Sequence, residues 1–332
     1  MTQPFHRPYM PKLADIQPYF EQIDQNGMYT NNGPLVQEFE KRLSQRWDGA
    51  HVCCVSSGTM GLYVATIAMG LNPGARVAIP SWTFPATPEA VIAAGQTPHF
   101  CDVEQETWAL SPKSSTAISP DLIMPVAPFG APLDLEAWEA IDIPVIIDAA
   151  AGFEAFKPSK IPQIVSLHAT KIFGIGEGGL IVSTDSEFMA TIRRLINFGH
   201  DEKRHIRIPG INGKLSEYQA AVGLAALDNW PETRKLHYDL AKQYAPIYGP
   251  YMQPGFGTDW VSASLTCVDP SRDGDDIMAA IGARRWWTQP CHHHDAFAHY
   301  PREAMDNTEF LHKHSFGVPF YPGVQLPVRK AS

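Results

Sequence analysis

Short apolar runs alternate with amphipathic stretches between residues 50 and 230, and this alternation constrains the fold more than any other feature. The pattern is typical of βα units around a mostly parallel sheet flanked by helices. The candidate strands are 51–55, 76–79, 97–101, 121–124, 144–147, 163–166 and 179–182. The sequence therefore predicts an α/β fold with one mostly parallel, seven-stranded sheet.

The length of the chain indicates two domains. Its 332 residues exceed the ~250–300 residues at which single cores stop growing. Helices are predicted over 59–69, 88–94 and 215–227, and the last is followed by Asn229-Trp230-Pro231. We therefore expect a large domain over 1–230, which includes the N-terminal segment, and a smaller C-terminal α+β domain over 231–332.

Composition disfavours several classes of partner. A formal net charge of -9 would repel a nucleic-acid backbone. The N-terminus lacks a signal-peptide pattern, and we find no apolar run of ~18 residues, so we expect a cytoplasmic protein without membrane spans. The five cysteines form no C-x-x-C pair, which favours reduced, packed thiols.

Two polar features follow candidate strands. Residues 56–62 enter a helix through small hydroxyl and glycine residues, and the free N–H groups of such a turn favour an anion, usually a phosphate. A capped helix that binds nothing is the alternative.

Asp148 ends the apolar run 144–147. In doubly wound sheets, ligands lie beyond the carboxyl ends of the strands, so this carboxylate would face a site, where it can hold a proton on a heterocyclic nitrogen. Capping of the next turn is the alternative.

A third feature is Lys171, which follows a strand and precedes the glycine-rich turn 174–179. A lysine near buried surface is deprotonated more easily, and a Schiff base needs the neutral amine. The glycine spacing matches a dinucleotide fingerprint only weakly, because no acidic residue follows in the required strand-turn-helix context. The anion-binding turn, Asp148 and Lys171 together are much more specific than each alone.

Several ordered motifs resemble the DegT/StrS-type sugar aminotransferase family, within the aspartate-aminotransferase-like fold of pyridoxal-phosphate enzymes. The motifs that carry this resemblance are 27–34, 57–59, 80–87, 148–150, 166–171, 176–179 and 212–217.

The resemblance implies a role for each matching residue. Lys171 would hold pyridoxal 5'-phosphate as a Schiff base and later move protons, and Asp148 would pair with the pyridine nitrogen. Phe84 would stack on the pyridine ring. The phosphate would be bound by Gly58, Thr59 and Ser166, and by Asn212 of a neighbouring subunit, which implies a homodimer with shared active sites.

The implied activity is transfer of an amino group, with glutamate as the expected donor, to C3 or C4 of a nucleotide-linked keto-deoxysugar. Such a reaction serves polysaccharide biosynthesis or natural-product assembly. Tyr29, Thr30 and Lys214 are candidate substrate contacts, with surface or interface packing as the alternative. A sugar dehydratase that uses the same cofactor is a rival, but its relatives carry histidine where this chain has Lys171.

Two departures from the family pattern affect the interpretation. Ala151 stands where relatives carry His or Gln against the 3'-oxygen of the cofactor, which leaves open a non-catalytic or regulatory pyridoxal-phosphate-binding protein.

The C-terminal part contains Trp286-Trp287, which could stack on a base or pack in the core. It also contains His292-His293-His294, which suggests zinc or copper, but three consecutive histidines cannot all face one ion on a strand or helix. The sequence therefore predicts no metal site and a polar loop near the mouth of the active site.

Overall fold

A computed structural model describes residues 4–325 of the chain. The strands in this range are β1 (His51–Val55), β2 (Arg76–Pro80), β3 (Thr97–Cys101), β4 (Leu122–Ile123), β5 (Ile147–Asp148), β6 (Gln163–Ser166), β7 (Gly179–Ser183), β8 (Leu265–Val268) and β9 (Ser315–Val318). The helices are α1 (Leu13–Asn26), α2 (Pro34–Arg46), α3 (Gly58–Ala68), α4 (Ala86–Ala93), α5 (Pro112–Thr116), α6 (Leu135–Glu139), α7 (Ser186–Leu195), α8 (Glu217–Asp228), α9 (Trp230–Tyr248), α10 (Gly274–Ile281) and α11 (Asp306–His314).

The seven predicted strands form one mostly parallel sheet, as expected. The strands order as β3-β2-β4 and β1-β7-β6-β5, and backbone hydrogen bonds of Ile123 with Pro144 and Ile146 join the two groups. Strand β7 runs antiparallel to both β6 and β1. The carboxyl ends of β1, β2, β5 and β6 therefore meet at one edge of the sheet.

Side chains alternate between the two faces of this sheet and bury a separate core on each. Ile164 and Ile181 pack with residues of α3, α4 and α7 on one face. Val165 and Leu180 pack with residues of α2, α8 and α9 on the other. This alternation explains why strands buried on both faces are continuously apolar in the sequence.

Local signals placed the three predicted helices, 59–69, 88–94 and 215–227, to within about two residues of α3, α4 and α8. Ser57 caps α3 by accepting a hydrogen bond from the Met60 N–H at 3.0 Å, and Gly70 adopts a positive φ of 65° just beyond its end. Helix α8 begins at Glu217 rather than at the predicted residue 215, because Ser216 is its N-cap.

The C-terminal part combines helices with the antiparallel pair β8–β9, as an α+β unit does. Neither strand was predicted. The boundary at residue 230 falls at the start of α9 and stays a prediction. All five cysteines are free and buried, and over residues 4–325 no helix is long and apolar enough to cross a membrane.

Candidate active site

A cavity of about 520 Å³ opens at the edge where the four strand ends meet. Six of the predicted site residues line it, and they come from separate parts of the chain: Gly58, Thr59, Phe84, Asp148, Ser166 and Lys171. The sheet brings them together because β1, β2, β5 and β6 all point to this edge.

The first turn of α3 forms one wall of the cavity. The first N–H groups of a helix have no partner within the helix, so those of Gly58 and Thr59 are available to an anion. A Cβ at Gly58 would lie 3.0 Å from the Ser166 Cβ, and one at Gly179 would lie 2.5 Å from the Ser57 carbonyl carbon. Glycine at both positions lets α3 approach β6 and β7 closely.

Asp148 lies at the end of β5 with 4% of its surface exposed. Its Oδ2 accepts a hydrogen bond from Thr87 Oγ1 at 2.7 Å, and its Oδ1 accepts one from the Ala150 N–H at 3.1 Å. Burial raises the pKa of this carboxyl, while the two hydrogen bonds and the Lys171 charge oppose the rise. Capping of the next turn, the alternative role for Asp148, explains the hydrogen bond from the Ala150 N–H but not the one from Thr87.

Lys171 follows β6 in a tight turn whose backbone is fixed by a hydrogen bond from its own N–H to the His168 carbonyl at 2.8 Å. Burial lowers the pKa of the Lys171 ammonium, and the nearby Asp148 carboxylate partly restores it. A lysine of this kind releases its proton more readily than one in water, as the sequence led us to expect.

Aromatic side chains also line the cavity. Phe84 lines it with 59% of its surface exposed. Trp287 stacks on Phe129 with ring centroids 4.1 Å apart and packs edge-on against Trp82 at 5.3 Å. Trp286 and Trp287 are partly buried, pack against the core and also line the cavity.

Four predicted residues lie outside this cavity. Asn212 is exposed and pairs with Asn197 in an isolated bridge. Lys214 donates a hydrogen bond to Asn197 Oδ1 at 3.2 Å. Tyr29 stacks on Tyr218 at 6.1 Å, and Thr30 is exposed.

Two contacts near the site, one made by Thr87 and one by His6, were not indicated by the sequence. Thr87 was part of a matching motif, but its bond to Asp148 depends on residues far apart in the chain. The His6 ring packs edge-on against Trp286 at 5.0 Å. Burial, with the charges of His237, His168 and Lys171, lowers the pKa of His6 to about 4. No local signal in the N-terminal segment could have revealed that placement.

The histidine run lies apart from the residues that line the cavity. His292 and His293 both reach Glu309, at 2.9 and 2.7 Å, whereas His294 contacts Gln289 at 3.0 Å. The three consecutive histidines therefore do not all share one partner, as the sequence led us to expect. The first two do share Glu309, because they occupy a 3-10 turn, Cys291–His293, rather than a strand or an α-helix.

Comparisons with known proteins agree with this architecture. The model of the DegT/DnrJ/EryC1/StrS aminotransferase family matches residues 12–327. A putative PLP-dependent aminotransferase from Bacillus cereus superposes with a TM-score of 0.91 at 27% identity, covering 98% of this chain and 96% of that one. The predicted aspartate-aminotransferase-like fold is confirmed.

Two relatives carry names that specify a sugar. A dTDP-4-amino-4,6-dideoxy-D-glucose transaminase of Shigella dysenteriae is 36% identical over 236 residues, which are 67% of this chain and 64% of that protein. The match thus spans less than two thirds of that relative. A UDP-2-acetamido-2-deoxy-3-oxo-D-glucuronate aminotransferase of Pseudomonas aeruginosa is 32% identical over 251 residues, covering 71% and 69%.

Proposed function

Because the chain belongs to the DegT/DnrJ/EryC1/StrS aminotransferase family, we propose that it uses pyridoxal 5'-phosphate to transfer an amino group to a nucleotide-linked keto sugar. One observation carries the proposal: Lys171, with a lowered pKa, shares a cavity with the buried carboxylate of Asp148. The expected amino donor is glutamate.

The residues around the cavity fit this cofactor at its phosphate end. The first N–H groups of α3, at Gly58 and Thr59, offer donors and the positive end of a helix dipole to a phosphate. Ser166 lies against Gly58, where its hydroxyl can add a donor. An added Cβ at Gly58 would crowd this space.

At the ring end, Asp148 would hold a proton on the pyridine nitrogen. Thr87 and Ala150 donate to its two oxygens, and these bonds favour the ionised form that such pairing needs. Phe84 lines the same cavity and presents exposed ring surface for stacking. When bound, pyridoxal phosphate supplies an aldehyde that accepts the amine and a ring that withdraws electrons.

Lys171 has two tasks in this proposal. Its Nζ would hold the cofactor, and the lowered pKa makes the neutral amine that this role needs more accessible. When free, the same Nζ would take a proton from one nearby carbon and return it to another. Lys171 in place of histidine also favours amino transfer over the rival dehydratase.

We further propose a homodimer in which Asn212 reaches the phosphate of the partner's cofactor. Asn212 is exposed and does not line the cavity of its own chain. Exposed Phe198 and Ile206 lie nearby in sequence, with 48% and 66% of their surfaces accessible, as an interface would require. Tyr29, Thr30 and Lys214 then stay candidate substrate contacts across that interface.

The names of the two relatives support C4 or C3 as the aminated carbon, since one is a 4-amino and the other a 3-oxo sugar enzyme. A role in polysaccharide biosynthesis in the cytoplasm accords with these substrates. The five free, buried cysteines accord with a reducing compartment.

Borohydride reduction followed by peptide mass spectrometry tests the cofactor assignment. After incubation with pyridoxal phosphate, the reduced label should lie on the Lys171 peptide, and Lys171→Ala should carry none there. Label that is absent from Lys171 would refute the assignment.

A half-reaction with glutamate tests the activity separately. The amino form of the cofactor should accumulate, and 3-amino or 4-amino nucleotide sugars should also generate it in the reverse direction. If Lys171 is labelled but no donor converts the cofactor, the non-catalytic alternative is correct.

Mixed dimers test the shared site. Lys171→Ala and Asn212→Ala chains, each impaired alone, should regain activity when co-expressed, because one site in each mixed dimer has both residues intact. Absence of recovery in isolated mixed dimers would contradict the role of Asn212.

A further inference from the structure

A cluster of two histidines and one glutamate joins the C-terminal part to the end of strand β2. His292 and His293 come from the 3-10 turn Cys291–His293, and Glu309 comes from helix α11. The turn is fixed to β2 because the Cys291 N–H donates to the Ser81 carbonyl at 2.9 Å. None of the three side chains lines the cavity that holds Lys171.

The ligand atoms of this cluster converge on one point. His292 Nε2 lies 2.9 Å and His293 Nε2 lies 2.7 Å from the same oxygen, Glu309 Oε1. The three possible ligand atoms all lie within 4.8 Å of one another. We propose that His292, His293 and Glu309 form a binding site for a zinc ion, independent of the amino-transfer site.

The donor set is suited to zinc. Two imidazole nitrogens and one carboxylate oxygen are a common zinc ligand set, and three protein ligands leave the fourth tetrahedral position to water. The site is also accessible, since 36% of the His293 side chain and 45% of the Glu309 side chain are exposed. His292 is nearly buried at 6% and anchors the cluster.

Ser81 orients His292 in the way that a metal ligand requires. Ser81 Oγ lies 2.6 Å from His292 Nδ1 and accepts a hydrogen bond from the His292 backbone N–H at 3.1 Å. Without an ion, His292 Nε2–H donates to Glu309 Oε1. When zinc binds, the other tautomer is needed: Nδ1–H donates to Ser81 Oγ and Nε2 gives its lone pair to the ion, as in most histidines that bind metals.

A third imidazole lies beside the cluster. His312 follows Glu309 by one turn on α11, and its ring centroid is 5.7 Å from that of His293. Its Nδ1 is buried and has no hydrogen-bond partner within residues 4–325. His312 is not among the residues whose ligand atoms converge, so the fourth position is left to water.

Zinc in this position would link α11 to the turn Cys291–His293, and through that turn to Ser81 in the segment that follows β2. That segment carries Thr83 and Phe84, which line the cofactor cavity. The expected role is structural: the ion would fix one wall of the cavity without taking part in the reaction.

Zinc titration of the full-length, cofactor-loaded protein tests the proposal, with His294→Ala as the matched control for His293→Ala. His294 is the neighbouring histidine but contacts Gln289 instead of the cluster. We expect one zinc ion per chain by calorimetry and a rise in Tm of about 3–6 °C at saturating zinc. His293→Ala should lower the affinity at least ~100-fold, whereas His294→Ala should bind like the unmodified protein.

Glu309→Gln provides a second variant if His293→Ala folds poorly, which near-ultraviolet circular dichroism would reveal. It should also weaken binding, because the amide carries no charge. Cobalt(II) supplies an independent signal, since a tetrahedral N/O site gives an intense visible absorption band, read as a difference spectrum against the cofactor-loaded protein. Absence of stoichiometric binding, or binding that survives both substitutions, would overturn the proposal.

Discussion

Replacing Thr87 with valine tests how Asp148 is kept ionised in a buried position. Thr87 Oγ1 lies 2.7 Å from Asp148 Oδ2 and 2.7 Å from Thr83 Oγ1, and its side chain is fully buried. Valine has a similar shape but no hydroxyl. The substitution removes the hydrogen bond while disturbing the packing little.

The expected loss of stability follows from the negative charge on Asp148, which accepts the hydrogen bond from Thr87. A hydrogen bond to a charged group contributes about 1.5–3 kcal/mol, so Thr87→Val should lower the free energy of unfolding by about that amount when Asp148 is ionised. The loss depends on pH, because the variant raises the pKa of Asp148 further above its ordinary value than burial already does. The loss is therefore largest at high pH and shrinks as pH falls through the folded-state pKa.

Urea unfolding of the cofactor-free protein, repeated in steps from pH 8 downwards, measures this dependence. Thr87→Ser keeps the hydroxyl and should recover most of the stability, apart from about 1 kcal/mol for the lost methyl group. A loss that stays constant over the whole pH range in which the protein is folded, or a serine variant as unstable as the valine variant, would refute the reasoning.

Three further predictions concern the surroundings of the site. His6→Phe should lose less stability than the unmodified protein as the pH falls from 6.5 to 4.5. The pKa of His6 in the folded protein is lowered to about 4, so in this pH range the ring is protonated only in the unfolded chain. Urea unfolding should show about 1 kcal/mol between the two proteins, because solvent partly screens the half-buried ring. Glu217→Ala should lower the free energy of unfolding by about 2–4 kcal/mol, because the Glu217 carboxylate accepts hydrogen bonds from the N–H groups of Leu35 and Val36 at 2.8 and 3.0 Å. Urea unfolding measures the loss, with Tyr218→Ala as the control. Gly58→Ala should weaken cofactor binding at least ~10-fold in a fluorescence titration, because the added Cβ would lie 3.0 Å from the Ser166 Cβ; unchanged affinity would contradict the proposed phosphate contact.

Local sequence patterns determined the seven strands of the large sheet and three of its helices, but not the strands β8 and β9. The runs 51–55, 97–101 and 163–166 coincide with β1, β3 and β6, because apolar runs bounded by turn residues specify strands over a few residues. Capping residues placed α3 in the same way. The candidate chemistry was also local: Lys171, Asp148 and the turn at Gly58 each follow a strand.

The tertiary structure alone decided how these elements meet. Strand order brings the ends of β1, β2, β5 and β6 to one edge. It also gives Asp148 its donor Thr87 and places Trp287 against Phe129. It also joins His292 and His293 to the carboxylate of Glu309, a contact that the sequence did not predict. These contacts link residues far apart in the chain, and they are fixed by packing and by pairing of strands. Local propensity depends only on neighbouring residues in the sequence, so it cannot predict them.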